Sequence, residues 1–128
     1  MSVRVIVLGP YSGDTLGTAG NIRRGMDLAT EAALAGFHVQ ACWTDWAFAT
    51  RADLPMSWFK GNTLAWLRCA EAVLLAPGWE RSEGVKAELK LASELGIPVF
   101  ESVADLVSWH TSNQVADFFD CRRDLDGA

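Results

Sequence analysis

The chain alternates between short continuous apolar runs and longer stretches of helical period. "VRVIVLG" near the start is almost wholly apolar and closes on Gly-Pro, the signature of a buried strand followed by a turn. From Asn21 to Ala35, Ile22, Met26, Ala29 and Ala33 recur at helical spacing, with Arg23, Arg24, Asp27 and Glu31 turned elsewhere. Gly36 ends that helix. "FHVQACW" reads as a second strand, and Thr44 to Pro55 as a long polar-aromatic loop. Ser57 is placed to cap a helix running to about Ala70. "AEAVLLAP" is a third buried strand, Ser82 caps a helix that stops at Gly96, "IPVFES" is a fourth strand, and Val103 to Trp109 form a last helix.

Strands alternating with helices predict an α/β fold with a mainly parallel sheet of four to five strands between two helical layers. Right-handed crossovers leave few topologies, and the expected one is flavodoxin-like (Rossmann-like), with strand two beside strand one and strand three on its other side. The switch point then lies between strands one and three, where ligands bind at the carboxyl ends. The two loop-rich strand ends, "GPYSGDTLGTAGN" and "PGWERSEG", fall there.

One position breaks the pattern. On a wheel from Ser82 to Leu95, the residues Leu91, Leu95, Ala92, Val85 and Leu89 cover an arc of roughly 160°. Glu88 falls near its middle, with Gly84 one turn earlier on the same side. A carboxylate there has to be paired, protonated or open to a cavity. One reading is a half-buried glutamate bonded to loop amides. The other is a nucleophile or general base in the cleft.

Composition narrows the partners. The 128 residues suit one domain with a real core, half of them hydrophobic and about a fifth charged. The net charge of −5 and the absence of a Lys/Arg run argue against a nucleic-acid polymer, whose phosphates demand clustered cations. A single small anion needs only helix N-termini and loop amides. Cys42, Cys69 and Cys121 form no CxxC pair, which points to free thiols in a reducing compartment. No His/Cys/Asp cluster has metal-ligand spacing, and no P-loop motif is present. The first apolar run is too short for a signal peptide or a membrane span, so the expected location is cytoplasmic. Six tryptophans stand out. Trp43, Trp46 and Trp58 flank the loop region and are candidates to stack on a base, Trp79 to form a pocket wall, and Trp66 and Trp109 to pack in the core or a subunit interface.

The segments "GPYS", "NIRRGMDLATEAALAGF" and "TLAWLRCAEAVLLAPGWERSEGVKAELKLASELGIPVF" resemble the nucleoside 2-deoxyribosyltransferase-like superfamily, in a branch of small bacterial and phage proteins. The resemblance covers Val3 to Trp109, and its most specific part is S-x-G-V-x-x-E, here Ser82, Gly84, Val85 and Glu88. The same pattern occurs in the 2′-deoxynucleoside 5′-monophosphate N-glycosidases. It implies a domain over 1–110; the tail beyond it, 111–128, reads from its own sequence as a segment that packs on a neighbouring subunit or is partly disordered.

The resemblance further implies that Glu88 attacks C1′ of the sugar, the base leaves and a glycosyl-enzyme ester forms, resolved by water or by a second base. It implies Tyr11 as a group orienting the sugar or Glu88. Ser82 favours a nucleotide over a nucleoside, since transferases acting on free nucleosides tend to carry Asp there. Gly9 and Ser12 of "GPYS", Gly78, Ser82 and Gly84 are then substrate-binding candidates, with Arg81 as a cation beside them. Relatives often begin the helix before strand three with Asp-Leu, the Asp handling the base. Here the pair is Thr63-Leu64 with Asn62 beside it; Thr63 and Asn62 are substrate-binding candidates to hydrogen-bond the base, but neither is able to protonate a leaving group. Asp45 or Asp53 in the long loop are candidates to substitute, and Glu71, where relatives often carry Asp, reads as structural.

The expectation is an N-glycosidase acting on a nucleotide without metal or organic cofactor, as a homodimer or larger homo-oligomer. The rivals are base exchange between nucleosides and a non-catalytic nucleotide-binding module using the same cleft.

Overall fold

A computed structural model of the chain describes residues 3–13 and 15–113. It contains β1 (Arg4–Leu8), α1 (Thr15–Leu34), β2 (His38–Ala41), a 3-10 turn (Cys42–Asp45), α2 (Trp46–Ala49), α3 (Met56–Leu67), β3 (Ala72–Leu75), a second 3-10 turn (Trp79–Arg81), α4 (Glu83–Glu94) and β4 (Val99–Phe100). A last helix, α5, runs over 103–113 and so crosses residue 110, where the sequence suggested a tail to begin. The rest of that tail, with Cys121, lies outside the described residues.

The four strands are all parallel, in the order β2-β1-β3-β4, as the flavodoxin-like expectation requires. Strand alternation divides the core in two. Val5 and Val7 of β1 face one layer, where they meet Ala29 and Ala32 of α1 and Leu106 of α5. Ile6 and Leu8 face the other, with Leu67 of α3 and Val85 and Ala92 of α4. Each fully buried Val, Ile or Leu contributes about 1.5–3 kcal/mol, so these rows hold both helical layers to the sheet.

Several local expectations are revised. Helix α1 starts six residues earlier than its apolar period suggests, because Thr18 closes the preceding turn. Its hydroxyl accepts from the Gly13 amide (3.0 Å) and donates to the Gly13 carbonyl (3.2 Å). The buried stripe runs through Gly25, Ala29 and Ala32, while Ala33 is exposed. Ser57 caps nothing: α3 begins directly after Pro55, whose extended backbone (φ −69°, ψ 155°) delivers the chain into the first turn. The long loop holds a 3-10 turn and the single-turn helix α2. Leu95, expected on the apolar arc of α4, is exposed just past the helix end.

Ser82 does cap α4, accepting from the Val85 amide at 3.3 Å. Glu71 has the structural role expected of it: its carboxylate accepts from the Arg4 side chain (3.1 Å) and the Arg4 amide (3.3 Å), tying β3 to β1. Among the described residues, no helix is long and apolar enough to cross a membrane.

Candidate active site

The carboxyl ends of β1 and β3 open into a cleft of about 910 Å³. Its walls are the loop after β1, the turn before α4 and the first turns of α4, with the 3-10 turn after β2 and helices α2 and α3 closing the far side. Gly9, Tyr11, Ser12, Thr63, Gly78, Ser82, Gly84 and Glu88 all line it. Asn62 does not. It faces a small separate void behind the cleft, shared with Ile6, Gln40 and Trp66, because Thr63 and Asn62 lie about 100° apart on α3.

Each wall has an identifiable cause. Trp43 is 2% exposed and its indole N–H donates to the Pro10 carbonyl at 3.0 Å. Its ring occupies the space that side chains on Gly9 and Gly25 would fill: a Cβ at Gly9 would stand 2.9 Å from it, and one at Gly25 2.5 Å. Trp43 therefore shapes the β1 loop from below and does not stack on a ligand. Asn21 holds the same loop from α1, donating to the Tyr11 carbonyl (3.3 Å) while accepting from Arg24 (2.8 Å). Gly78 has φ +89°, a left-handed turn that side chains rarely adopt. It brings the Arg81 guanidinium back over itself, 3.1 Å from where a Cβ would sit, close to Pro10.

Gly84 is the opposite case. A Cβ there would meet nothing nearer than the Ser82 hydroxyl at 3.8 Å, so the fold does not demand a glycine. The open space belongs to the cleft. With Val85 capped by Ser82, the amides of Glu83 and Gly84 are the orphan donors of the first turn.

Two carboxyls stand out electrostatically. Glu88 is half-buried between Val85, Leu89 and Ala92, and burial pushes its carboxyl up to about 7. Asp45 is 5% exposed, its Oδ1 has no hydrogen-bond partner among the described residues, and burial pushes its carboxyl up to about 6. The Tyr11 phenol is raised to about 12 by burial and then by the charge of Asp45, so it stays a hydrogen-bond donor. The Cys42 thiol is pushed up strongly by burial and then by the Glu88 carboxylate, which keeps it protonated and inert.

The cleft also carries cations. Arg24, Lys60 and Arg81 line it although the chain is net acidic, and among the described residues none of them forms an ion pair. Glu83, on the same rim, pairs with Lys86 at 3.2 Å. The arrangement thus separates into an anion-accepting end (Ser12, Arg24, Arg81, Ser82 and the α4 amides) and a more apolar end (Trp46, Ala49, Met56, Phe59).

Sequence reasoning missed Asn21, Arg24, Lys60, Met56 and Phe59 as lining residues, whereas Trp46, a candidate to stack on a base, does line the cleft. Arg24 gave a signal, since it follows Asn21 by three residues on one helix face. Of the other expected groups, Asp53 is exposed and outside the cleft. Trp79 packs against the second core and donates to Glu101 (2.7 Å) rather than forming a wall. Trp58 meets Phe48 and Phe59 edge-on. Trp109 packs on Phe100, whereas Trp66 is about half exposed. Among the described residues no group of His, Cys, Asp and Glu is placed to hold a metal ion.

No curated protein matches the chain. Residues 26–101 match the family model described as "Domain of unknown function (DUF4406)". That span carries Cys42, Asp45, Thr63, Ser82, Gly84 and Glu88, but not the Gly9–Ser12 loop. Because the match takes in more than half of the sequence, the chain belongs to this DUF4406 family.

Proposed function

We propose that the protein hydrolyses the N-glycosidic bond of a nucleotide, a 2′-deoxynucleoside 5′-monophosphate, with Glu88 as nucleophile. The observation that carries this is the position of Glu88: a desolvated carboxyl on the apolar face of α4, opening into a cleft whose rim presents cations, hydroxyls and helix amides. Breaking the bond develops positive charge at C1′, and a carboxylate facing it stabilises that charge before bonding to it. The anion-accepting end suits the 5′-phosphate. The Tyr11 phenol is a donor suited to the sugar or to Glu88. The cleft has the volume usual for a small-molecule site, and its openness to solvent favours water over a second base as acceptor. Membership of the family supports the reading coarsely, since this family is related to the nucleoside 2-deoxyribosyltransferase-like proteins.

A homodimer or larger assembly belongs to the same reading. Trp46, Phe48 and Met56, all half or more exposed, flank the cleft on α2 and α3 and are a surface for a second copy. Sedimentation as a monomer at assay concentrations would remove that part.

One observation favours a nucleotide-binding module without turnover. The Thr63 hydroxyl donates to the Phe59 carbonyl of its own helix at 3.2 Å, so this residue offers no proton to a leaving base. The test is chromatography of a panel of nucleotides and nucleosides, wild type against Glu88→Ala. Free base from deoxynucleoside monophosphates with wild type only is the expected result. Base transfer to an added second base indicates exchange, tight binding without release indicates the module, and no release from any panel member sinks the enzymatic reading for those substrates.

A further inference from the structure

Asp45 sits immediately before α2, where an aspartate ordinarily caps the helix, yet its side chain makes no capping bond and its backbone is helical (φ −71°, ψ −13°). It is 95% removed from solvent, and its Oδ1 has no partner among the described residues. It lines the cleft and also the small void behind it. A carboxyl buried without a partner destabilises the fold and calls for another reason to be there.

Its surroundings supply one. Asp45 and Glu88 line the same cleft as Tyr11 and Cys42, and Tyr11 feels the charge of Asp45 while Cys42 feels both carboxyls. The groups sharing the cleft lining with Asp45 include Tyr11 from the β1 loop, Cys42 on the same turn, Lys60 and Thr63 from α3, and Glu88 from α4. Glycosidic cleavage asks for two carboxyls, one that bonds to C1′ and one that carries a proton to the leaving group. Thr63 has no acid to give.

Resting on the function proposed above, we infer that Asp45 is the second catalytic carboxyl and meets the base of the nucleotide. As Glu88 Oε bonds to C1′, the C1′–N bond breaks and its electron pair stays on the base. The Asp45 proton passes to the base, leaving a carboxylate. Water then attacks C1′, the ester C–O bond returns its pair to Glu88, and the Asp45 carboxylate takes the proton that the water loses. Burial raises the Asp45 carboxyl to about 6, which keeps part of it in the acid form near neutrality.

The test compares two leaving groups. A neutral purine needs protonation to depart, whereas an N7-methylated purine already carries the charge. With Asp45→Asn or Asp45→Ser, base release from the neutral purine nucleotide is expected to fall by roughly 10²-fold or more, and from the N7-methylated one by less than about tenfold. An equal loss on both, or no loss, overturns the assignment. Binding supplies an arm independent of turnover. In a Glu88→Ala background, the same substitutions should weaken a deoxynucleoside monophosphate by about fivefold and leave 2-deoxyribose 5-phosphate, which lacks a base, unchanged. Equal weakening of both ligands, or of neither, overturns the contact with the base. If wild type releases no base at all, the hydrolase reading and the proton transfer both fall, while the binding arm still decides whether Asp45 meets the base.

Discussion

The two edges of the sheet treat the same residue types in opposite ways. At the amino edge, Glu71 accepts two hydrogen bonds from Arg4, in water, at the joint between β1 and β3. At the carboxyl edge, Glu88 and Asp45 are drawn out of water, and among the described residues neither accepts a bond from a cation. The first arrangement is what a fold uses to fix a register, and an exposed pair of this kind is worth only about 0–1 kcal/mol. The second works against stability. A carboxylate kept desolvated without a partner is retained where charge has to develop beside it. The contrast is the physical ground for placing the proposed chemistry at the carboxyl edge.

The comparison breaks most visibly in the pH dependence of stability. Glu88 is raised from 4.5 to about 7 and Asp45 from 3.8 to about 6. Between those limits the folded chain binds more protons than the unfolded one, so stability is fullest below about pH 4 for these two groups and declines as pH rises toward about 7. For Glu88 alone the decline is on the order of 3 kcal/mol. Denaturant titrations across this window should show the fall in the wild type and a flatter curve in Glu88→Gln. Equal slopes for the two would show that Glu88 is solvated after all. Activity follows a different course, because Glu88 must be ionised and Asp45 protonated: release of a neutral base should peak between about pH 6 and 7, whereas release of an N7-methylated purine, which needs no proton, should rise through about 7.

A smaller effect separates fold from function at Gly84. Alanine meets no obstacle within the chain and is the better helix former, so Gly84→Ala should hold or raise thermal stability by up to about 1 kcal/mol. The added methyl occupies the cleft, and affinity for a nucleoside monophosphate should fall. Calorimetric titration showing unchanged affinity would remove the first turn of α4 from the binding surface. The smallest effect belongs to the amino edge: Glu71→Gln should cost less than about 1 kcal/mol and leave base release unaltered. A large loss of activity there would dissolve the distinction between the edges.

The layered fold was legible because β1 and β3 are near-continuous apolar runs and the loops that follow them carry Gly-Pro and Pro-Gly near their start. Parallel order and switch point follow from those. Glu88 was legible too, as a charged residue at the centre of an apolar arc. What the sequence hid depends on contacts between distant segments. The Trp43 ring fits between Gly9 and Gly25, 16 residues apart in the chain, and no local pattern announces that fit. Asp45 lay in a stretch read as irregular loop, and only the folded 3-10 turn shows that it is buried while Asp53 is exposed. The early start of α1 was masked by Gly13, Gly17 and Gly20, residues that ordinarily signal a loop.

The central claim, that Glu88 forms a bond to C1′, is tested most directly by running the reaction in water containing methanol. A Glu88 ester blocks one face of the sugar, and the second displacement restores the original configuration. Nuclear magnetic resonance of the products should therefore show the methyl β-glycoside of 2-deoxyribose 5-phosphate alongside free base. The α-anomer would mean that solvent attacks C1′ directly and would contradict the assignment of Glu88 as nucleophile.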